Sequence, residues 1–278
     1  MRFTGRSACF VALNLTLSLA AGCGGGDPAS DGGALADRST VSPQPDIAGP
    51  NAQRGELLVN QGGTSSTIRA RFVTATGCNR APVGPCTLLT CPAGNHDTGA
   101  SAGVLAITGK NIPANTALDP TMAGDYPDWV RPVGLFLAGD VITISAAGGT
   151  LPAFSKTATA PAAITVTTPA CDGKSCGSFD PTRDLTVSWS GGSDGVEVIF
   201  AVSQLSGATS YLSCRFRAAD KQGTVPANAL SLLPRSDGLN ALARLGVASV
   251  ASTRFTEGSL DTELLLEHLA TEGDYTNP

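Results

Sequence analysis

From Glu56 onward the chain is a succession of short apolar runs broken by Gly, Pro, Asn and Asp. Ser66 to Ala75 (STIRARFVTA) alternates, with Ile68, Ala70 and Phe72 on one face and Arg69 and Arg71 on the other. That is the period of a strand with one buried face. Cys86 to Cys91 (CTLLTC) and Gly103 to Gly109 (GVLAITG) follow, and Gly134 to Ala146 reads as two runs meeting at Gly139-Asp140. Ile164 to Thr168, Leu185 to Trp189, Val196 to Val202, Tyr211 to Phe216 and Ala241 to Ser252 complete the set. Strands this closely spaced, with turn signals between them, predict an all-β chain built as an antiparallel β-sandwich.

Helical signals are few. Pro226 to Leu233 (PANALSLL) opens on a Pro suited to a first turn and stops at Pro234, which predicts one or two helical turns. Leu260 to Ala270 (LDTELLLEHLA) has a composition that suits a helix, and Ser259 could cap it. As the last apolar run of an all-β chain, it is expected to be the closing strand. Pro152 to Pro161 (PAFSKTATAP) reads as a linker. It divides the body into two sandwich-like halves, 55–160 and 161–278.

Composition narrows the function classes. Of the 278 residues, 42% are hydrophobic and 15% charged, enough apolar surface for a substantial core. The net charge is −5, the wrong sign for neutralising phosphates, so no nucleic-acid partner is expected. Two histidines leave no His-rich metal site, and no motif implies a cofactor. Asp172, Asp180, Asp184 and Asp194 are oxygen ligands in Gly-rich loops, but they lack the spacing of a calcium loop and read as turn residues. Gly99-Ala100-Ser101-Ala102-Gly103 matches the G-x-S-x-G pattern of serine hydrolases, with His96 and His268 as the available bases. A nucleophile elbow needs a strand before the Ser and a helix after it. Here a polar loop precedes Ser101 and the apolar run VLAIT follows, so a secreted hydrolase is the second reading. In a chain with 5% aromatics, Tyr126, Trp129 and Arg131 fall within six residues. Aromatic and guanidinium groups dominate contact hot spots, which makes this segment the candidate contact for a glycan or protein partner.

The first residues carry an address. Arg2 and Arg6 precede Ala8 to Ala21, an uncharged apolar run shorter than the ~20 residues a membrane-spanning helix needs. Leu19-Ala20-Ala21-Gly22-Cys23 resembles the lipobox of bacterial lipoproteins, with Ala20 where that motif usually carries Leu. The resemblance implies that residues 1–22 are removed and Cys23 is acylated, with the membrane as a partner through that lipid. Loss of Arg2 and Arg6 takes the mature charge to −7. Gly24 to Arg54 is Gly, Pro, Asp, Ser and Ala with almost nothing to bury, a tether reaching roughly 30 Å. Gly24 stands where Asp would resemble an inner-membrane retention signal, which favours the outer membrane of a Gram-negative envelope.

Six further cysteines, Cys78, Cys86, Cys91, Cys171, Cys176 and Cys214, form an even set in an exported chain and predict disulfides. Cys171 and Cys176 close a small polar loop. Cys78 and Cys86 flank the Pro-rich loop Asn79 to Pro85, leaving Cys91 for Cys214. The stretch from 163 to 203, with Trp189 in the run LTVSW, resembles the opening strands of fibronectin type III and immunoglobulin-like modules. That resemblance implies a sandwich and offers another pairing, Cys176 with Cys214 around Trp189. The lipobox, the early cysteines and Ser213-Cys214-Arg215-Phe216 together resemble surface lipoproteins of myxobacterial type. The combined expectation is a tethered, disulfide-braced lipoprotein acting as a non-catalytic binding or structural surface module.

Overall fold

A computed structural model describes residues 53–277 apart from 63–64, 75–76, 95–97, 122–123, 133 and 237–240. Cys23, the tether before residue 53 and His96 lie outside the described residues.

Strands account for nearly all the regular structure. They are β1 (Gln53–Gln61), β2 (Ser66–Val73), β3 (Asn79–Val83), β4 (Cys86–Cys91), β5 (Leu105–Thr108), β6 (Ala117–Leu118), β7 (Trp129–Arg131), β8 (Val141–Ala146) and β9 (Phe154–Thr159). After them come β10 (Ile164–Thr168), β11 (Ser175–Ser178), β12 (Leu185–Gly191), β13 (Gly195–Gln204), β14 (Thr209–Arg217), β15 (Gln222–Val225), β16 (Ala241–Glu257) and β17 (Leu260–Thr276). The expected helical turn is α1 (Ala227–Leu230), opened by Pro226, and a single 3₁₀ turn spans Ala218–Asp220. The closing run is a strand, as its position in the chain implied.

Two expectations fail. Pro152 to Pro161 is not a linker: its centre is β9, paired along its whole length with β8. Phe154 and Ala158 point inward on alternate positions, a two-residue period that the bounding prolines masked. Of the two runs expected in Gly134 to Ala146, only the second is a strand. Leu135 and Phe136 are buried as loop residues, held where Gln61 Oε1 accepts from both their N–H groups at 2.7 and 3.1 Å.

The strands form one large sheet and two small ones. The large sheet runs β3-β4-β14-β13-β16-β17-β1-β2-β7, and β11 continues the β1 side of β17 beyond His268. The smaller sheets are β6-β5-β8-β9 and β10-β12-β15. At 17 residues each, β16 and β17 extend roughly 55 Å. One core, with Phe72, Ile107, Phe136 and Ile144, joins the β6-β5-β8-β9 sheet to one end of the large sheet. The other, with Trp189, Val198, Phe200 and Leu212, joins the β10-β12-β15 sheet to the other end. A bulge leaves Ala270 unpaired between Leu269 and Thr271, which reverses the alternation of β17. Leu264 and Leu266 can therefore serve the first core while Tyr275 serves the second.

The halves 55–160 and 161–278 each contribute most of one core, but they are not separate bodies. Cys86 and Leu88 of β4 sit in the second core, and Phe255, Leu260, Leu264 and Leu266 sit in the first. The cysteines reflect the same interleaving. Cys171 pairs with Cys176 as expected. The other two expected pairs are replaced by Cys78–Cys91 and Cys86–Cys214. The Asn79 to Pro85 segment is not a loop throughout: Asn79–Val83 is a strand folded back on β4 through a turn at Gly84-Pro85, with Asn79 opposite Thr90 and Val83 opposite Cys86. That register puts Cys78 next to Cys91 and leaves Cys86 facing Cys214 on β14. The alternative Cys176–Cys214 pair is absent for the same reason.

Candidate functional site

The segment 126–131 splits between core and surface. Tyr126 is 6% exposed and edge-on to Phe72 at 5.7 Å. Its hydroxyl donates to the Gly103 carbonyl at 2.8 Å and accepts from the Ala102 N–H at 2.9 Å. Burial raises its pKa, and the ring has no free face for a partner. Trp129 lies half-buried against the first core, on an edge strand held by the pairing of Ile68 with Trp129. The guanidinium of Arg131 stands 5.2 Å from the centre of the indole, and Val130 between them is 53% exposed. Trp129 and Arg131 thus form a stacked pair at the open rim of the large sheet.

Ser101 sits in a tight turn ahead of β5. Its Oγ accepts from the Gly103 N–H at 3.1 Å, and its backbone N–H and carbonyl both bond the Thr150 hydroxyl. Gly103 has φ +76°, and a Cβ there would lie 2.3 Å from the Gly148 carbonyl oxygen, so the glycine is required for this close approach. This is turn chemistry, with β5 after the Ser where an elbow would have a helix. His268 lies on β17 opposite Ser249, and no hydrogen bond among the described residues links it to Ser101.

The loop aspartates organise their own loops. Asp172 accepts from the N–H groups of Lys174 and Ser175, and Asp180 accepts from the N–H and hydroxyl of Thr182. Both carboxyls are held below the ordinary aspartate value by these bonds. Asp184 accepts from the Ala227 N–H at the start of α1, and Asp194 from the Ser193 hydroxyl.

A charged interior is the feature the sequence pattern did not announce. The face of β2 carrying Arg69 was expected to be solvated, yet Arg69 is 6% exposed. On that face lie Glu56 and Asn60 of β1, Glu263 and Glu267 of β17, Glu197 of β13 and Arg215 of β14, all nearly inaccessible. The sheet curls around them. Two strands separate β14 from β17, and the residue of β17 in line with Arg215 is Leu269, so on a flat sheet Glu263 would lie roughly 25 Å from Arg215. Even so, Arg215 Nη1 donates to Glu263 Oε1 at 2.8 Å, and its Nε lies 3.3 Å from Glu197 Oε1. Glu197 also accepts from the Ser213 hydroxyl. Arg69 holds Asp128 through Nε and Nη2, and Asn60 Nδ2 donates to Glu267 Oε2 at 2.8 Å.

Electrostatics follow from burial. Glu56 is pushed up to about 8 by desolvation, opposed by Arg69 and reinforced by Glu263, its direct register partner on β17. Glu267 is likewise pushed up to about 8 by desolvation, with Glu197 adding to the effect. Glu263 is raised by burial despite Arg215. Burial alone would lower Arg215, but the carboxylates of Glu197 and Glu263 on either side hold it above its ordinary value. The arrangement is a buried cluster of ion pairs with carboxyls whose pKa values are raised by burial. Among the described residues no group of three His, Cys, Asp or Glu is placed to hold a metal ion. The signal in the sequence was ELLLE within β17: apolar residues at consecutive positions mean that both faces of the strand are covered.

No protein-family model and no curated protein matches the chain. Among solved structures it is similar to a two-domain fibronectin type III segment of chicken tenascin, at 14% identity, covering 76% of this chain and 97% of that one, with a TM-score of 0.18. It is also similar to tandem immunoglobulin repeats of Dlar, at 12% identity, covering 78% and 99%, with a TM-score of 0.21. Superpositions this loose carry no argument about this chain, and the all-β architecture stands on its own strand pairing.

Proposed function

We propose that the chain is an extracytoplasmic lipoprotein, anchored through acyl groups on Cys23 to the outer membrane of a Gram-negative envelope, whose β body is a non-catalytic binding or structural surface module. The observation that carries the reading is the use of cysteine. One stands in the lipobox-like segment, and all six in the body are joined in three disulfides. Disulfides persist in oxidising compartments outside the cytoplasm. A tether of roughly 30 Å then holds the body clear of the bilayer. The turn geometry around Ser101, with β5 following it, favours this reading over a hydrolase. The contact assigned to a glycan or protein partner is the Trp129–Arg131 pair, where a guanidinium and an indole offer stacking area at one sheet edge.

The test is Cys23→Ser, expressed beside the parent in a Gram-negative host with labelled palmitate. The parent is expected to incorporate label and fractionate with the outer membrane. The variant is expected to take up no label and to appear as an unprocessed precursor or a soluble body. Equal labelling of both overturns the lipid anchor. For the contact, Arg131→Ala is expected to weaken retention on envelope material while leaving the melting temperature nearly unchanged, because Arg131 is exposed. Unchanged retention removes this edge from the reading.

A further inference from the structure

Far from the Trp129 edge, a half-open groove of about 590 Å³ lies at the end of the second core. Three segments converge on it: the loop between β11 and β12, the loop after α1, and the end of β17. Its apolar lining includes Phe179 and Leu233. Phe179 is half-buried, with its ring pinned by Tyr275 at 4.8 Å and Phe200 at 5.4 Å. It is therefore a rigid aromatic surface that loses no side-chain freedom on contact.

The walls are polar. Asp180 uses Oδ1 to accept both bonds from Thr182, which orients the carboxylate and holds it below the ordinary aspartate value. Arg235 lines the same groove and makes no ion pair or side-chain hydrogen bond among the described residues. Asn277 supplies the independent observation. It is 1% exposed and lines the groove, and among the described residues its Oδ1 has no hydrogen-bond partner. Buried amide oxygens are nearly always bonded; the Asn277 amide is placed by its Nδ2, which donates to the Pro234 carbonyl at 3.5 Å, and its backbone N–H donates to the Ser236 hydroxyl at 2.9 Å. A ligand hydroxyl at the mouth of the groove would supply the missing donor after a small adjustment of the amide.

We propose that this groove binds a carbohydrate, with the apolar face of a pyranose ring on Phe179 and Leu233 and its hydroxyls bonded to Asp180, Arg235 and Asn277. A sugar combines an apolar C–H face with hydroxyls that both donate and accept. A carboxylate acceptor, a guanidinium donor and an amide beside an aromatic ring match that combination. Vicinal hydroxyls also fit the fork of the Arg235 guanidinium, while Asp180 offers its Oδ2 as a single acceptor. The proposal does not depend on the lipid anchor or on the Trp129 edge.

The test titrates the full chain in detergent with cellotriose, chitotriose and maltotriose, and separately with triglycine, by calorimetry and by ligand-observed saturation transfer. Saturable binding of at least one trisaccharide is expected. Asp180→Asn, which retains an oxygen for Thr182, and Arg235→Ala are each expected to weaken it roughly tenfold, the effect of losing one charged hydrogen bond. Both side chains are exposed, so the melting temperature should hold. Three results each overturn the proposal: no binding by any of the sugars, sugar binding indifferent to both substitutions, or binding of triglycine in place of sugar.

Discussion

Glu267 shows what a single buried side chain imposes on the protein. Its carboxyl is pushed up to about 8 in the folded chain, against an ordinary value of 4.5. Below about pH 4.5 it is protonated whether the chain is folded or not, and its contribution to stability is fully present. As pH rises from there, the unfolded chain gives up the proton and the folded chain keeps it, so stability falls until the pH passes the folded value. Melting temperature is therefore expected to decline between about pH 5 and pH 8. Glu267→Gln removes the titrating group and leaves an amide oxygen to accept from Asn60. The variant should melt close to the parent at pH 5 and above it at pH 8. A parent and variant with the same pH slope would remove Glu267 from this role. Sequence alternation could place Glu263 and Glu267 on one face of β17, but not say whether water reaches that face. That depends on the curl of the sheet, which brings Arg215 across to Glu263.

At the scale of elements, strands were readable wherever both neighbours and alternation were regular, as in β2, β12, β13 and β14. They were missed where turn residues intrude. β3 contains Pro82 on the outer edge of the sheet, where no ladder hydrogen bond is needed from it, and so reads as a loop. β9 is bounded by prolines and polar on its outer face. Missing β3 led directly to the wrong cysteine pairs, because the β3–β4 register decides which sulfurs meet. The Cys86–Cys214 bridge spans 128 residues of sequence and ties β4 into the second core. Replacing both cysteines by Ala is expected to cost about 2–5 kcal/mol, read as a shift in the urea midpoint. The pair Cys171→Ala with Cys176→Ala, which opens only a 5-residue separation, should cost much less. Equal losses from the two would mean that the long bridge does not constrain the unfolded chain as its span requires.

For the whole molecule, β16 and β17 tie the two cores together. Each strand supplies buried residues to both ends, and β1 and β4 of the first half pair with strands of the second. A single calorimetric transition is expected over the described body. Leu264→Ala in the first core and Val198→Ala in the second should lower that same transition, each by a cost on the order of 2–4 kcal/mol. Two separable transitions, with one mutation affecting each, would show that the shared strands do not couple the halves. By the same reasoning, the segment 161–278 alone is expected not to fold, since it lacks the β1 and β4 partners of β17 and β14.

Alone, the sequence determined what local backbone geometry and composition determine. Side chains on an extended chain alternate by face, and turn residues interrupt the ladder, so an all-β body with one helical turn was legible from Glu56 onward. An even set of body cysteines behind a lipobox-like segment was equally legible, because it is a matter of count and spacing. Only the tertiary structure decided which distant strands pair, and much else followed from that choice. It joined the halves through one sheet, matched Cys78 with Cys91 and Cys86 with Cys214, and drew Tyr126 into the core while leaving Arg131 outside. It also gathered Phe179, Asp180, Arg235 and Asn277 from three separate segments around one groove. Strand periodicity is a property of each segment. Partner choice depends on how well many surfaces pack at once, information that no single stretch of the chain contains.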